Sequence, residues 1–305
     1  MRAKIRAEKL IGLVALLVIF LSEPVTAQTK IQVVTKTITR KLEYKKDTQL
    51  RIIAEKAKIN VKGWDKNYIG FTLKLIGKHP EREVAEKELE HLQYYIKESG
   101  NVHDLGNYFL IGKGTNQIKA NLKAEYEILV PAHLPILINC KFSEIALENT
   151  KGRYDIDLEY GQLNLNQVEG EMAMQLVLSD VKSSDTNLIL KGKAEKADMD
   201  FANASGTYKL ENAYGNIRFV AGSGLRGVNI QASRTSVIFL AKNFDNHTYD
   251  LATSHAELSL PVQAKPQIKL TSGEKSTYRS FKGKEVPAIK ILTTYSPVTI
   301  RNQVN

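Results

Sequence analysis

Written in lines of 18 residues, positions 144–219 read EIALENTKGRYDIDLEYG, QLNLNQVEGEMAMQLVLS, DVKSSDTNLILKGKAEKA, DMDFANASGTYKLENAYG and NIRF. Apolar residues at i and i+2 are typical of a strand that turns one face to a core. Each line therefore predicts a short strand whose inward side chains align with those of the next line. The two inward columns are Ile145, Leu163, Val181, Met199 and Ile217, and then Leu147, Leu165, Ser183, Phe201 and Phe219, where Ser183 is the one polar member.

A second strand is predicted half a line later. Glycine stands in four of five slots between the two strands, although the chain has only 19 glycines in 305 residues. Glycine adopts turn conformations that other residues resist, so these positions predict turns. The glycines are Gly152, Gly170, Gly206 and Gly224, with Leu188 breaking the series; the inward columns are Tyr154, Met172, Leu190 and Tyr208, and then Ile156, Met174, Gly192, Leu210 and Val228.

One 18-residue unit buries almost nothing by itself, whereas stacked units turn each apolar line into a continuous column. The repeat thus predicts an all-β protein built as a right-handed β-helix-like solenoid with ~18-residue coils over residues 136–240. The right hand is expected because parallel crossover connections nearly always have it. An antiparallel sandwich with hairpins of even length is the alternative.

The flanking segments predict strands and one helix. Residues 31–78 alternate apolar and polar side chains, with a turn at residues 63–67. Residues 80–98 place Ala85, Leu89, Leu92 and Ile96 at helical spacing, with Gly100 just beyond, and so predict one amphipathic helix. This helix is expected in an N-terminal capping region, and the segment after Asn243, which loses the 18-residue spacing, is expected to cap the other end.

The first 27 residues have the features of a secretory signal peptide. Four basic side chains precede an apolar run at residues 10–21, and Ala27 closes the segment. The run is too short for a bilayer-spanning helix, which needs about 20 residues. We therefore expect cleavage after Ala27, with an uncleaved anchor as the alternative, and an exported protein in the periplasm or on the cell surface of a Gram-negative bacterium. The predicted domains are residues 1–27 as signal peptide, 28–130 as strands plus helix, and 131–305 as solenoid with a C-terminal cap.

Charge and cysteine content narrow the function classes. The full chain carries a net charge of +10, and loss of the signal segment, with its four basic and two acidic residues, leaves +8. The lysines are scattered among apolar residues, as on the solvent face of a strand, which leaves weak attraction to acidic glycans or anionic lipids. Export disfavours nucleic acid as a partner. The single Cys140 excludes an internal disulfide and a zinc site built on several thiolates.

No catalytic, cofactor or metal site is predicted. Gly222, Gly224 and Gly227 satisfy G-x-G-x-x-G, but strand-like residues follow them where a dinucleotide site needs a helix. The D-x-D pairs at residues 155–157 and 198–200 alternate with apolar residues and are expected to face solvent rather than to chelate calcium. The histidines show no ligand spacing and are expected at the surface or in turns; they are His79, His91, His103, His133, His247 and His255.

One polar column precedes the first apolar one, and we call it the polar ladder: Glu144, Gln162, Asp180, Asp198 and Asn216. On stacked coils its amides could hydrogen-bond along the column, and Asp180 would repel Asp198 unless a cation or a lysine intervened. It could bind a ligand or a cation, or it could simply be a solvent-facing position. The ladder has no partnered Arg or Lys in register, which an acid–base enzyme site would need.

Several motifs resemble a family of exported bacterial β-strand-repeat proteins known as "putative adhesins" of unknown function. AKINVKGWD at residues 57–65 is similar to the family's opening I-x-V-x-G-W-D turn, Val130 and Pro131 follow a strand, and the glycine-punctuated strands come next. Residues 289–300 are similar to the family's last strands, although Ser296 and Pro297 stand where a glycine is usual. The resemblance implies a β-helix-like fold and an envelope or surface location, and it implies no catalytic residues.

These observations favour a non-enzymatic envelope or surface module that binds a glycan, a lipid or another envelope protein. Two alternatives remain open. One is a glycan-active β-helix lyase or hydrolase, which would need grouped acidic residues on one face. The other is a periplasmic partner of an envelope signalling system.

Overall fold

The computed structural model describes residues 30–112, 117–271 and 274–303. It confirms the all-β class: these residues form sixteen strands of one hydrogen-bonded sheet and one α-helix, α1 (Arg82–Leu89). The predicted signal peptide lies outside the described residues. The strands are β1 (Gln32–Glu43), β2 (Gln49–Glu55), β3 (Ala57–Trp64), β4 (Tyr68–His79), β5 (Leu92–Ser99), β6 (Val102–Phe109), β7 (Asn121–Pro131), β8 (Ile136–Lys141), β9 (Glu144–Ser184), β10 (Asn187–Ala241), β11 (Thr248–Ser254), β12 (Leu258–Ser259), β13 (Lys269–Thr271), β14 (Lys275–Ser280), β15 (Ala288–Thr294) and β16 (Val298–Asn302).

The central strands pair in parallel with a constant offset. β8 lies beside β9 with Ile136 opposite Tyr154, and β9 lies beside β10 with Val181 opposite Met199. Each pair joins residues 18 positions apart, as do many side-chain hydrogen bonds between neighbouring segments. Parallel pairing rules out the antiparallel sandwich for this stretch.

The predicted inward columns are buried. Every residue of the first two columns and of the Tyr154 column has at most 5% of its surface exposed. Phe201 and Phe219 lie 5.6 Å apart between ring centroids, and Phe219 stacks on Phe239 at 5.7 Å. The first pair is 18 residues apart and the second is 20, so the spacing lengthens after Phe219.

Glycine is required where two backbones approach closely rather than at the bends themselves. Gly170 has φ +120°, and a Cβ on it would overlap the carbonyl oxygen of Gly152 in the neighbouring segment. The bends of β9 and β10 instead use non-glycine residues in the left-handed region. The prediction that glycine supplies the turns is therefore correct only in part.

The predicted helix at residues 80–98 is wrong in its second half. α1 ends at Leu89, and β5 begins at Leu92 and pairs antiparallel with β6 around Gly100, whose φ is +59°. Tyr94, Tyr95 and Ile96 favour a strand, and cross-strand pairing with β6 outweighs the helical spacing. Gly100 thus marks a hairpin turn, not a helix end.

The flanks extend the same sheet. β3 pairs in parallel with both β7 and β9, so the sheet continues across the boundary predicted at residue 130. The predicted turn near Trp64 is confirmed at residues 65–67, between β3 and β4. After Asn243 the 18-residue offset is absent, and β15 pairs in parallel with β10 and β11 while β14 pairs antiparallel with β11. In the part of the chain that the structure describes, α1 is too short and too polar to cross a bilayer.

Candidate functional site

The polar ladder forms hydrogen bonds along its column. The backbone N–H of Asp198 donates to Asp180 Oδ1 at 2.9 Å, and both the backbone N–H and Nδ2 of Asn216 donate to Asp198 Oδ1 at 2.9 Å. Each carboxylate therefore accepts a donor from the next segment, which offsets the repulsion expected between Asp180 and Asp198. Glu144 begins the ladder opposite Lys58 of β3.

Basic side chains lie near the ladder, although among the described residues no ion pair joins one of them to a ladder residue. A groove of about 260 Å³ brings Asp180, Asp198 and Asn216 together with Lys182, Asp200 and Arg218. Arg218 Nη1 lies 2.8 Å from Asp200 Oδ1. Lys182 and Arg218 come two positions after ladder residues, on the same strand face, so the spacing of the ladder positions alone does not reveal them.

Ion pairs join neighbouring segments on the strand faces. Lys141 pairs with Glu159 at 2.7 Å, and Lys151 pairs with Glu169 at 2.9 Å, each across 18 positions. These side chains are largely exposed to solvent, so each pair adds little to stability. They make the strand faces a mixed-charge surface rather than a single basic patch.

A row of exposed residues along one bend was not predicted, and we call it the aromatic corner. Its members all have φ between 48° and 65°, and strand pairing places them in one row. Tyr160, Tyr214 and Tyr295 have 44%, 43% and 57% of their surface exposed, and Phe142 has 50%. In spatial order the row is Lys56, Phe142, Tyr160, Leu178, Lys196, Tyr214, Arg234, Tyr295 and His255.

Planar groups in the aromatic corner stack on one another. The rings of Phe142 and Tyr160 lie 5.0 Å apart at 11°. The guanidinium carbon of Arg234 lies 5.4 Å from the ring centre of Tyr214 and 5.7 Å from that of Tyr295. Arg234 Nη1 also donates to the Tyr214 hydroxyl at 3.0 Å. The corner therefore presents a nearly continuous strip of ring edges and cationic groups to solvent.

A sequence signal for part of this row existed. Phe142, Tyr160, Leu178, Lys196 and Tyr214 are spaced by 18, but outward columns have no fixed polarity, so the apolar periodicity did not single them out. The rest of the row could not be found from the spacing. Arg234 follows Tyr214 by 20 positions, and Tyr295 lies between Arg234 and His255 out of chain order.

The second bend of the same segments carries different residues, and we call it the amide corner: Asn149, Gln167, Asp185 and Asn203. Their φ values are 52° to 53°. Asn203 Nδ2 donates to Asp185 Oδ1 at 2.6 Å. All four are exposed.

His103, inside β6, contradicts the prediction that all six histidines lie at the surface or in turns, whereas His247 lies in the bend before β11 but is buried. His103 is buried with Nε2 2.7 Å from the carbonyl oxygen of Glu43, and His247 is buried against the ring of Phe239. In each case a backbone carbonyl offers a partner to the ring, which makes burial tolerable. Burial lowers the pKa of His247.

The remaining candidate residues lie where the sequence predicts. The two D-x-D pairs are exposed, and Gly222, Gly224 and Gly227 lie inside β10 with no helix after them. Cys140 is a buried free thiol, and burial raises its pKa to about 12. Across residues 30–112, 117–271 and 274–303, no three His, Cys, Asp or Glu side chains come together as a metal-binding group.

Two solved structures are similar to this chain. One is a "putative adhesin" from Bacteroides fragilis, with 16% identity, a TM-score of 0.41, and coverage of 88% of this chain and 97% of that one. The other is a "putative cell adhesion protein" from Clostridium sporogenes, with 11% identity, a TM-score of 0.28, and coverage of 88% and 100%. No protein-family model and no curated protein matches the chain.

Proposed function

We propose that this chain is an exported, non-enzymatic envelope or surface module that binds an extended polymer along the aromatic corner. In this proposal the chain is a member of the adhesin-like family that its G-W-D turn resembles, and residues 131–305 wind as a right-handed β-solenoid with ~18-residue coils. The parallel 18-residue offset supports the solenoid. The signal-peptide pattern at residues 1–27 supports export, and the proposed location is the periplasm or cell surface of a Gram-negative bacterium.

The observation that carries the proposal is the chemistry of the aromatic corner. A left-handed backbone costs an L-residue roughly 1–2 kcal/mol, and only Gly, Asn and Asp adopt it readily. Phe142, Tyr160 and Tyr214 accept this conformation while about half of each side chain stays exposed. Burial of these side chains therefore offsets little of the conformational cost of the left-handed backbone. Strain of this kind is concentrated at ligand-contact sites.

The spacing of the row favours a polymeric ligand. Neighbouring strands lie about 4.8 Å apart, so a chain-like partner lying along the corner would contact several rings in succession. Weak contacts that repeat along one ligand combine into high avidity. Lys56, Lys196 and Arg234 interrupt the rings with positive charge, and this favours an acidic polysaccharide.

The experiment is retention of the purified mature protein on an immobilised acidic polysaccharide. Tyr160→Asn combined with Tyr214→Asn should reduce retention at least tenfold without lowering the unfolding midpoint, because Asn suits the left-handed backbone. Tyr108→Asn is the matched control, since it removes an equally exposed tyrosine from β6. Unchanged retention in the double variant, or an equal loss in the control, would count against the proposal.

A glycan-active enzyme is the second candidate, because Lys182 and Arg218 share a groove with Asp180, Asp198 and Asp200. Release of reducing or unsaturated sugar ends from the same polysaccharide tests it. Turnover that disappears in Asp180→Asn or Asp198→Asn would favour the enzyme over the binding module.

A further inference from the structure

A groove of about 570 Å³ opens on the outer face of the N-terminal strands. Tyr68, Gly70 and Thr72 of β4 line it, and they alternate with Ile69 and Phe71, which are buried in the core. Trp64, Lys41, Glu127 and Leu129 also line it. Its volume lies in the range of small-ligand sites.

Trp64 is fixed in this groove by its neighbours. Its Nε1 donates to the carbonyl oxygen of Tyr68 at 3.0 Å, and the two rings meet edge to face at 4.6 Å and 71°. Gly70 leaves room for the indole, since a Cβ there would lie 3.1 Å from Trp64 Cη2. The indole is thus positioned before any ligand arrives, which reduces the entropy cost of binding.

Positive charge surrounds the two rings. Lys41 Nζ lies 4.0 Å from the ring centre of Tyr68, and Lys66 Nζ lies 5.1 Å from that of Trp64. Neither lysine belongs to an ion pair among the described residues. The carboxylate in the groove, Glu127, already accepts a hydrogen bond from Asn60 Nδ2 at 2.7 Å. The ammonium groups of Lys41 and Lys66 are therefore available to pair with an anionic ligand.

We infer that this groove binds an acidic oligosaccharide. The apolar C–H face of a sugar ring packs on an aromatic face such as that of Trp64, and a sugar carboxylate would pair with Lys41 and Lys66. Thr39 and Thr72, whose Oγ1 atoms lie 3.3 Å apart, supply hydroxyls at the same strand level. A cationic ligand would be repelled. A membrane surface requires apolar side chains that project, whereas Trp64 and Tyr68 are half-buried in a concave wall.

Trp64 is the only tryptophan of the chain, so its fluorescence reports on this groove alone. The test is a titration of the mature protein with tetragalacturonate at physiological salt. We expect a saturable change in emission, and Lys41→Gln or Lys66→Gln should weaken the apparent affinity at least fivefold. Lys74→Gln is the matched control, because Lys74 lies on the same face of β4 outside the groove. The fully methyl-esterified tetragalacturonate should bind at least fivefold more weakly.

Three results would overturn the inference. They are the absence of any emission change, an equal loss of affinity in Lys74→Gln, and a stronger response to phosphatidylglycerol vesicles than to the oligosaccharide. Unfolding midpoints of the lysine variants show whether each is folded. The inference is independent of the aromatic corner: the Tyr160→Asn and Tyr214→Asn double variant should keep the full Trp64 response, so either proposal can fail alone.

Discussion

The amide corner and the aromatic corner bend the same segments through the same backbone conformation with different side chains. At the amide corner, Asn149, Asp185 and Asn203 are residue types that tolerate φ near 52° because their short polar groups bond locally. At the aromatic corner, Tyr160 and Leu178 have no such compensation. The bend itself does not require rings, since the opposite bend of each segment forms without them.

Ring stacking offsets only part of the higher conformational cost at the aromatic corner. The Phe142–Tyr160 pair contributes roughly 0.5–1.5 kcal/mol beyond burial, whereas Leu178 has no ring that could stack. The amide corner therefore shows what folding alone selects at a left-handed bend. The aromatic corner shows a surface that needs a role other than folding.

The residue that follows the bend also differs between the two corners. A substitution at this position is expected to have the largest effect on stability. Gly215 follows Tyr214 with φ +129°, and a Cβ on it would overlap the carbonyl oxygen of Ala197. Gly215→Ala should lower the free energy of unfolding by roughly 2–4 kcal/mol, from strain and overpacking together. The measurement is urea unfolding followed by circular dichroism.

The amide corner supplies the control for that change. Ala204 follows Asn203 and is fully buried, so Ala204→Gly should cost only about 1 kcal/mol, mainly in backbone entropy. If Gly215→Ala lowered the free energy of unfolding no more than Ala204→Gly does, the close approach of the two backbones at the aromatic corner would be contradicted.

The inward columns were predictable from the sequence and the corners were not, for a physical reason. Burial restricts Leu163 and Val181 to apolar residues, and the strand period repeats that restriction in every line. A left-handed bend favours Gly, Asn or Asp, and Phe142 and Tyr160 are none of these, so their bend carries no turn signal in the sequence. The helix prediction for residues 80–98 was wrong for a different reason. Pairing between β5 and β6 is a contact between two strands that helical spacing cannot reveal.

A reciprocal exchange between the corners has the next largest effect. Asn203→Leu should lower the free energy of unfolding by roughly 1–2 kcal/mol, because the left-handed backbone disfavours leucine and the bond to Asp185 is lost. Leu178→Asn should raise it by about 0.5–1 kcal/mol for the converse reason. The same urea titration measures both. If both variants were destabilising, Leu178 would itself contribute to folding stability, and the argument that the aromatic corner needs another role would fail.

The smallest expected effect concerns the stacked cation of the aromatic corner. Arg234→Lys keeps the charge but loses the planar stack between Tyr214 and Tyr295 and the hydrogen bond to the Tyr214 hydroxyl. We expect a loss of roughly 0.5–1 kcal/mol, seen as a lower thermal midpoint. Arg279→Lys is the matched control: Arg279 is 82% exposed and pairs with Asp250 at 2.9 Å, a contact that lysine can replace. Because Tyr214 keeps its position beside Lys196, Arg234→Lys should also weaken polysaccharide retention less than Tyr214→Asn does; a larger loss would mean that the planar guanidinium, rather than the rings, distinguishes this corner from the amide corner.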